Sequence, residues 1–177
     1  MILSGNEIRI QREAGKIEIS DFNESRLGPN SYNVRLASEL MVYTEVILDA
    51  KQENRTRTII IPQEGLVLKP GKLYLGRTME RTKTEEFVPM LEGRSSVGRL
   101  GLAIHVTAGF GDVGFDGAWT LEIFCLQPVR IYPEMEIGQI YYHSIAGEIL
   151  AKYHGKYQGS RGVVASRMFQ DWEADHG

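Results

Sequence analysis

A chain of 177 residues, 42% of them hydrophobic, has the length and composition of one globular domain with a sizeable core. Its 20 Lys and Arg are scattered among 23 Asp and Glu, for a formal charge of −3. This gives no electrostatic reason to expect nucleic-acid binding, so any basic patch must be local. The one cysteine, Cys125, excludes an intramolecular disulfide, fits a reducing compartment and is most simply a small core residue. No charged-then-apolar leader opens the chain and no apolar run reaches the length of a membrane span, so a cytoplasmic protein without membrane partners is expected.

Ser4-Gly5-Asn6-Glu7 has the form of a capping box and Ile8 to Ala14 ends at Gly15, which predicts a short N-terminal helix. Lys16 to Ile19 alternates as a strand does. Leu27-Gly28-Pro29-Asn30 marks a turn before two strand-like runs, Ser31 to Leu36 and Glu39 to Tyr43, and the polar run Asp49 to Thr56 reads as a loop. Thr58 to Pro62, Leu66 to Lys69, Leu73 to Thr78 and Phe87 to Leu91 are short, closely spaced strands, with a turn at Pro70-Gly71. Ala118 to Cys125, Val129 to Tyr132 and Ile137 to Ser144 continue the pattern. Many short strands with little helix predict a mainly β, barrel or jelly-roll-like fold in one domain spanning residues 1–177.

The chemistry concentrates between Leu91 and Phe124. Gly93 to Gly101 holds Arg94, Ser95, Ser96 and Arg99 in a stretch that suits one helical turn. Free amides at such a turn, with serine hydroxyls and guanidinium groups beside them, can seat a phosphate. The same pattern also fits a capped surface turn with two solvated arginines. Gly109-Phe110-Gly111-Asp112-Val113-Gly114 spells G-x-G-x-x-G, but a strand follows it where a dinucleotide fingerprint needs a helix, so that reading is rejected. On that strand Thr120, Glu122 and Phe124 share one face, and Leu121, Ile123 and Cys125 the other. Glu122 therefore stands either on a solvated sheet face or at a site. Tyr153 to Gly162 is a glycine-rich basic segment, either a loose tail or a lid from about residue 153.

Arg94-Ser95-Ser96-Val97-Gly98-Arg99-Leu100-Gly101, His105 to Phe115, and Thr120-Leu121-Glu122 together resemble, in order and spacing, the core of the dCTP deaminases, which share a superfamily with the trimeric dUTPases. Asn30 to Leu36 and Lys156-Tyr157-Gln158-Gly159 are similar to further segments of that family. The resemblance implies a distorted dUTPase-type β fold and hydrolytic deamination of dCTP at cytosine C4. It implies no zinc, since the zinc deaminase signature needs a P-C-x-x-C that one cysteine cannot supply. It makes Glu122 the general base that later protonates leaving ammonia, and Ser95 the residue orienting water or amine. Arg99 becomes a phosphate ligand, and Asp112 a contact to the 3′-hydroxyl or to a reacting water.

Arg94, Ser96, Val97 and Gly98 complete the nucleotide cradle, with Ala108, Phe110, Thr120, Leu121, Gln139, Tyr153, Lys156 and Ser160 as further nucleotide contacts. His105 and Thr107 are as readily satisfied strand residues as direct participants. Mg²⁺ is implied on the triphosphate, and a homotrimer with sites between subunits. Gly109-Phe110 and Gln139 resemble the bifunctional branch, which forms dUMP and diphosphate. A deaminase stopping at dUTP, a plain dUTPase and a non-catalytic nucleotide sensor remain alternatives. Two departures stand out: Ser160, where relatives often have Gln, and Gly111 and Val113, where Ile and Pro are common. The second pair predicts a more flexible loop.

Overall fold

The computed structural model describes residues 1–174. The N-terminal helix α1 spans Gly5–Glu13. Ser4 caps it, its side chain accepting from the Glu7 amide at 3.1 Å, and the chain leaves through Gly15 at φ +72°, a conformation glycine adopts without strain. Eleven strands follow: β1 (Ile17–Ile19), β2 (Tyr32–Arg35), β3 (Glu39–Tyr43), β4 (Thr56–Ile60), β5 (Leu66–Leu68), β6 (Tyr74–Thr84), β7 (Phe87–Gly93), β8 (Leu102–Ala103), β9 (Asp116–Cys125), β10 (Val129–Ile131) and β11 (Glu136–Ser144). One helical turn, α2 (Ser95–Gly98), joins β7 to β8, and α3 (Phe169–Ala174) closes the described chain.

All pairings between these strands are antiparallel. The largest sheet runs β4-β3-β6-β9-β8 with β1 also on β6, a second runs β2-β11-β7, and β10 pairs with β5. The mainly β expectation holds, with three sheets forming a distorted wall and no single closed ladder among the described residues. They enclose one core in which Ile8 of α1 and Val97 of α2 meet Tyr32, Leu40, Leu91, Leu121, Ile123 and Tyr142. Cys125 is buried there, as expected.

The strand expected to stop near Thr78 continues to Thr84. Its register against β9 shifts between Arg77 and Arg81, so Thr78, Met79 and Glu80 bulge opposite Trp119. The bulge turns Glu80 fully inward, where its carboxylate accepts from the Arg35 amide at 2.8 Å and from Arg35 Nε at 2.7 Å. Both Arg35 groups donate to the one carboxylate, which meets the partner requirement of a buried charge.

Candidate active site

Strand β9 alternates as its sequence demands: Leu121, Ile123 and Cys125 are buried, while Thr120, Glu122 and Phe124 are half-buried on the other face. Beneath the half-buried face lies a cavity of about 650 Å³, within the range of small-ligand sites. Glu122 reaches into its wall. Its Oε2 accepts from the Val106 amide at 2.7 Å and the Thr107 amide at 3.1 Å, which leaves Oε1 free of that anchor. One carboxylate oxygen is thus fixed by the loop after β8, and the other is available to a bound molecule.

That loop runs back along β7. The Leu91 amide donates to Gly109 O, Met90 bridges Phe110, and the Gly111 amide donates to Pro89 O at 2.9 Å. Gly111 is buried, and a Cβ there would run into the far edge of the Trp119 ring and the Pro89 carbonyl. Gly111 is therefore a close-approach position: the loop is seated at this glycine, and the flexibility expected from Gly111 and Val113 is offset by backbone bonds and by burial of Val113. Asp112 beside it is exposed and lines the cavity, as do Ala108 and Phe110.

The C-terminal segment closes the same cavity. The Tyr153 amide donates to Val113 O at 2.7 Å, Ala118 donates to Ser160 O at 2.9 Å, the Val164 amide donates to Thr120 Oγ1 at 3.2 Å, and the Ser166 amide donates to Tyr43 Oη at 3.0 Å. Tyr153 packs edge-on against Phe115 with centroids 5.9 Å apart. Ser160, the departure from the usual Gln, donates its hydroxyl to Tyr157 O at 2.6 Å, so it tightens the tail's own turn. Lys156 lies outside the cavity wall, paired with Asp171. Asp116 anchors the segment electrostatically, bound by Arg81 and, at 3.4 Å, by Arg161. Burial works against its ionised form, but the Arg81 hydrogen bonds and charge outweigh this and hold the Asp116 carboxyl below its ordinary range.

The predicted residues fall into two groups. Ala108, Phe110, Asp112, Thr120, Glu122, Tyr153 and Ser160 surround the cavity. Leu121 is fully buried on the core face of β9, so only its backbone can face a ligand. The α2 group lies elsewhere and contributes nothing to this cavity wall. Ser95, Ser96, Gly98 and Arg99 are exposed, Val97 anchors the turn in the core, and no side chain caps the helical start. Arg94 Nη1 is paired with Glu136 Oε2 at 2.7 Å, and Asn33 donates to the same oxygen at 3.1 Å. Gln139, on β11 opposite Glu92 and Asn33, lies with this second group.

Tyr43, Phe115, Trp119 and Tyr157 also line the cavity; Phe115 and Tyr157 lie within the segments that resemble the family without being singled out there, and no motif points to Tyr43 or Trp119. Thr107 takes part through its amide on Glu122. His105 has both ring nitrogens buried without a partner among the described residues, and burial pushes its pKa down against the pull of Glu122.

Residues 2–145 match the family model described as dCTP deaminase-like. A Hathewaya histolytica protein described as "dCTP deaminase, dUMP-forming" is 62% identical over 173 residues, covering 98% of this chain and 100% of its own length. A protein of the same description from Clostridium acetobutylicum is 57% identical over 173 residues, covering 97% and 99%. Among solved structures, 2′-deoxycytidine 5′-triphosphate deaminase from Agrobacterium tumefaciens aligns with a TM-score of 0.63 at 21% identity over 80% of this chain. This chain spans 47% of that one, and at such identity the likeness concerns the fold alone.

Proposed function

The chain belongs to the dCTP deaminase-like family, and from that premise we propose that it converts dCTP and two waters into dUMP, diphosphate and ammonia. The observation that carries the deamination is Glu122, with Oε2 pinned by two amides and Oε1 left to a water in a cavity of nucleotide size. Oε1 takes a proton from that water as its oxygen bonds to cytosine C4. The tetrahedral centre collapses by breaking the bond to the exocyclic nitrogen, and Glu122 returns the proton so that ammonia leaves. A second water, attacking the α-phosphorus, releases diphosphate, and Asp112 at the cavity rim meets either this water or the sugar 3′-hydroxyl. Formation of dUMP rests on the close relatives that bear that description and on Phe110 and Gln139.

Ser95 and Arg99 complete the site from a neighbouring copy. They are exposed and do not line their own chain's cavity, and a symmetric assembly can bring exposed turns of one subunit to the cavity of the next. We take that assembly to be a homotrimer, with α2 supplying serine hydroxyls and guanidinium groups to the phosphates. The segment from about residue 153 acts as the lid, and Lys156 must exchange Asp171 for phosphate when the nucleotide binds.

The cavity wall offers two carboxylates, Glu122 and Asp112, one of them already half committed. This donor set suits Mg²⁺ carried in on the triphosphate better than a protein-built cage. Bound there, Mg²⁺ offsets phosphate charge. Zinc has no cysteine pair to hold it, because Cys125 is the sole cysteine and faces the core. No helix of the described residues is long and apolar enough to cross a membrane, and we place the enzyme in the cytoplasm.

The deciding test incubates the protein with dCTP and Mg²⁺ and resolves the products by chromatography. Ammonia, diphosphate and dUMP without free dUTP are expected. Accumulating dUTP would leave only the deaminase step, and untouched dCTP beside cleaved dUTP would make Glu122 something other than the deaminating base.

A further inference from the structure

Asp112 carries a functional role with little to aim it. Its one hydrogen bond among the described residues is the Phe115 amide donating to its backbone carbonyl at 3.2 Å, so its carboxylate goes wherever the loop backbone puts it. The ends of that loop are tied, at Gly111 to Pro89 O and at Gly114 to Thr84 O. Trp119 lies against both flanks of the loop, at Gly111 and at Phe115. The indole is 6% exposed and lines the cavity, and its Nε1–H donates to Thr82 Oγ1 at 2.9 Å. One edge of the ring fills the space that a side chain at 111 would occupy, and Phe115 packs edge-on against it with centroids 5.3 Å apart. Gly111 and Phe115 bracket Asp112, so a single rigid ring supports the loop on both sides of the carboxylate.

We propose that Trp119 is a positioning residue for Asp112, locked by Thr82 and fitted to Gly111, and that it sets where the carboxylate stands in the cavity. The inference rests on the reading in which Asp112 meets the sugar or the attacking water. Misplacing a reacting group by about 1 Å costs on the order of 100-fold in rate. Replacing the ring by a smaller side chain removes the support without touching Asp112 itself.

The test is a double-mutant cycle on dCTP turnover, with Trp119→Leu, Asp112→Asn and the pair, kcat and KM being read separately for each product. Trp119→Leu is expected to lower kcat/KM by roughly 10- to 100-fold. In the Asp112→Asn background the same change is expected to cost little more, because the group it positions is already disabled. Thr82→Val keeps the indole but removes its acceptor, and shifts the same parameter in the same direction by less. Equal fold losses in both backgrounds would overturn the proposal. Should Trp119→Leu fail to fold, Trp119→Phe and Thr82→Val carry the cycle.

A second measurement needs no turnover. Trp172→Phe leaves Trp119 as the sole tryptophan, and Gly111→Ala in that background is expected to shift its emission. An unchanged spectrum would overturn the contact. A wild type that leaves dCTP intact while Gly111→Ala still shifts the emission would instead overturn the activity reading.

Discussion

Glu122→Gln is the sharpest probe of the site because the structure fixes how the glutamine must sit. Val106 and Thr107 donate to Oε2 at 2.7 and 3.1 Å, so the amide oxygen of the variant has to take that place, and its NH₂ takes the place of Oε1. The loop anchor survives as two neutral hydrogen bonds instead of two charge-assisted ones. A hydrogen bond to a charged group contributes about 1.5–3 kcal/mol and a neutral one about 0.5–1.5, and both donors are on exposed residues, so a total loss of about 1–2 kcal/mol is expected. For a domain of this size that lowers Tm by about 2–8 °C, measurable by calorimetry and compatible with a folded protein. The chemistry suffers far more, because the cavity-side atom becomes a donor unable to accept a proton from water. Losing general acid–base catalysis costs about 10²–10⁴-fold, so ammonia release is expected to fall by at least 100-fold while dCTP binding, followed by titration calorimetry, persists. A folded Glu122→Gln protein that releases ammonia at more than about a tenth of the normal rate would refute the assignment of Glu122 as base.

Glu80→Ala, which strips the buried partner from Arg35, is expected to cost about 3–5 kcal/mol in denaturant unfolding, more than any surface pair here. Asp116→Asn is expected to speed amide exchange at Gly159, whose amide donates to Asp116 O at 2.8 Å. Because the folded Asp116 carboxyl is held low, its stabilisation is present above the unfolded value of about 3.9 and is lost as pH falls through the folded one, so the variant and wild type should converge in acid. His105 is pushed down by burial, so its contribution is full above about pH 6.5 and declines as pH falls below that; His105→Phe should flatten this limb of the stability curve. Coexpressed Glu122→Gln and Arg99→Ala chains, each inactive alone, should recover ammonia release in mixed oligomers. Continued inactivity of verified mixtures would contradict a site shared between copies.

Much of this was legible because strand and cap signals are local. Ser4 and Gly15 bound α1 through the capping and the left-handed exit their types favour, and the period of two in Ala118 to Cys125 placed Glu122 on the face opposite the core. The bulge in β6 was not legible. The strand reading stops at Thr78, because nothing local shows that Arg35 and Trp119 arrive from distant strands to satisfy Glu80, Thr78 and Thr82. Strand β8, only two residues long, exists because Leu102 and Ala103 pair with Cys125 and Phe124. The aromatic wall was hidden for a similar reason, since Tyr43 and Trp119 come from separate strands, share no spacing with each other, and meet Tyr157 only in the folded chain. The separation of α2 from the cavity is a matter of three-dimensional placement, to which the continuous motif Arg94 to Gly101 gives no clue.

Strand β9 carries two duties on alternate residues, and this bears on how such a chain can change over time. Odd positions Leu121, Ile123 and Cys125 fill the core, while Ala118, Thr120 and Glu122 line the cavity, the first two also bonding the C-terminal segment. Exchanging one residue for another disturbs a single duty. Inserting or deleting one between Thr120 and Glu122 would turn the carboxylate into the core and a leucine toward the cavity, disrupting the core and the site together. Descendants of this chain can vary β9 letter by letter, but its length is heritable only as a whole.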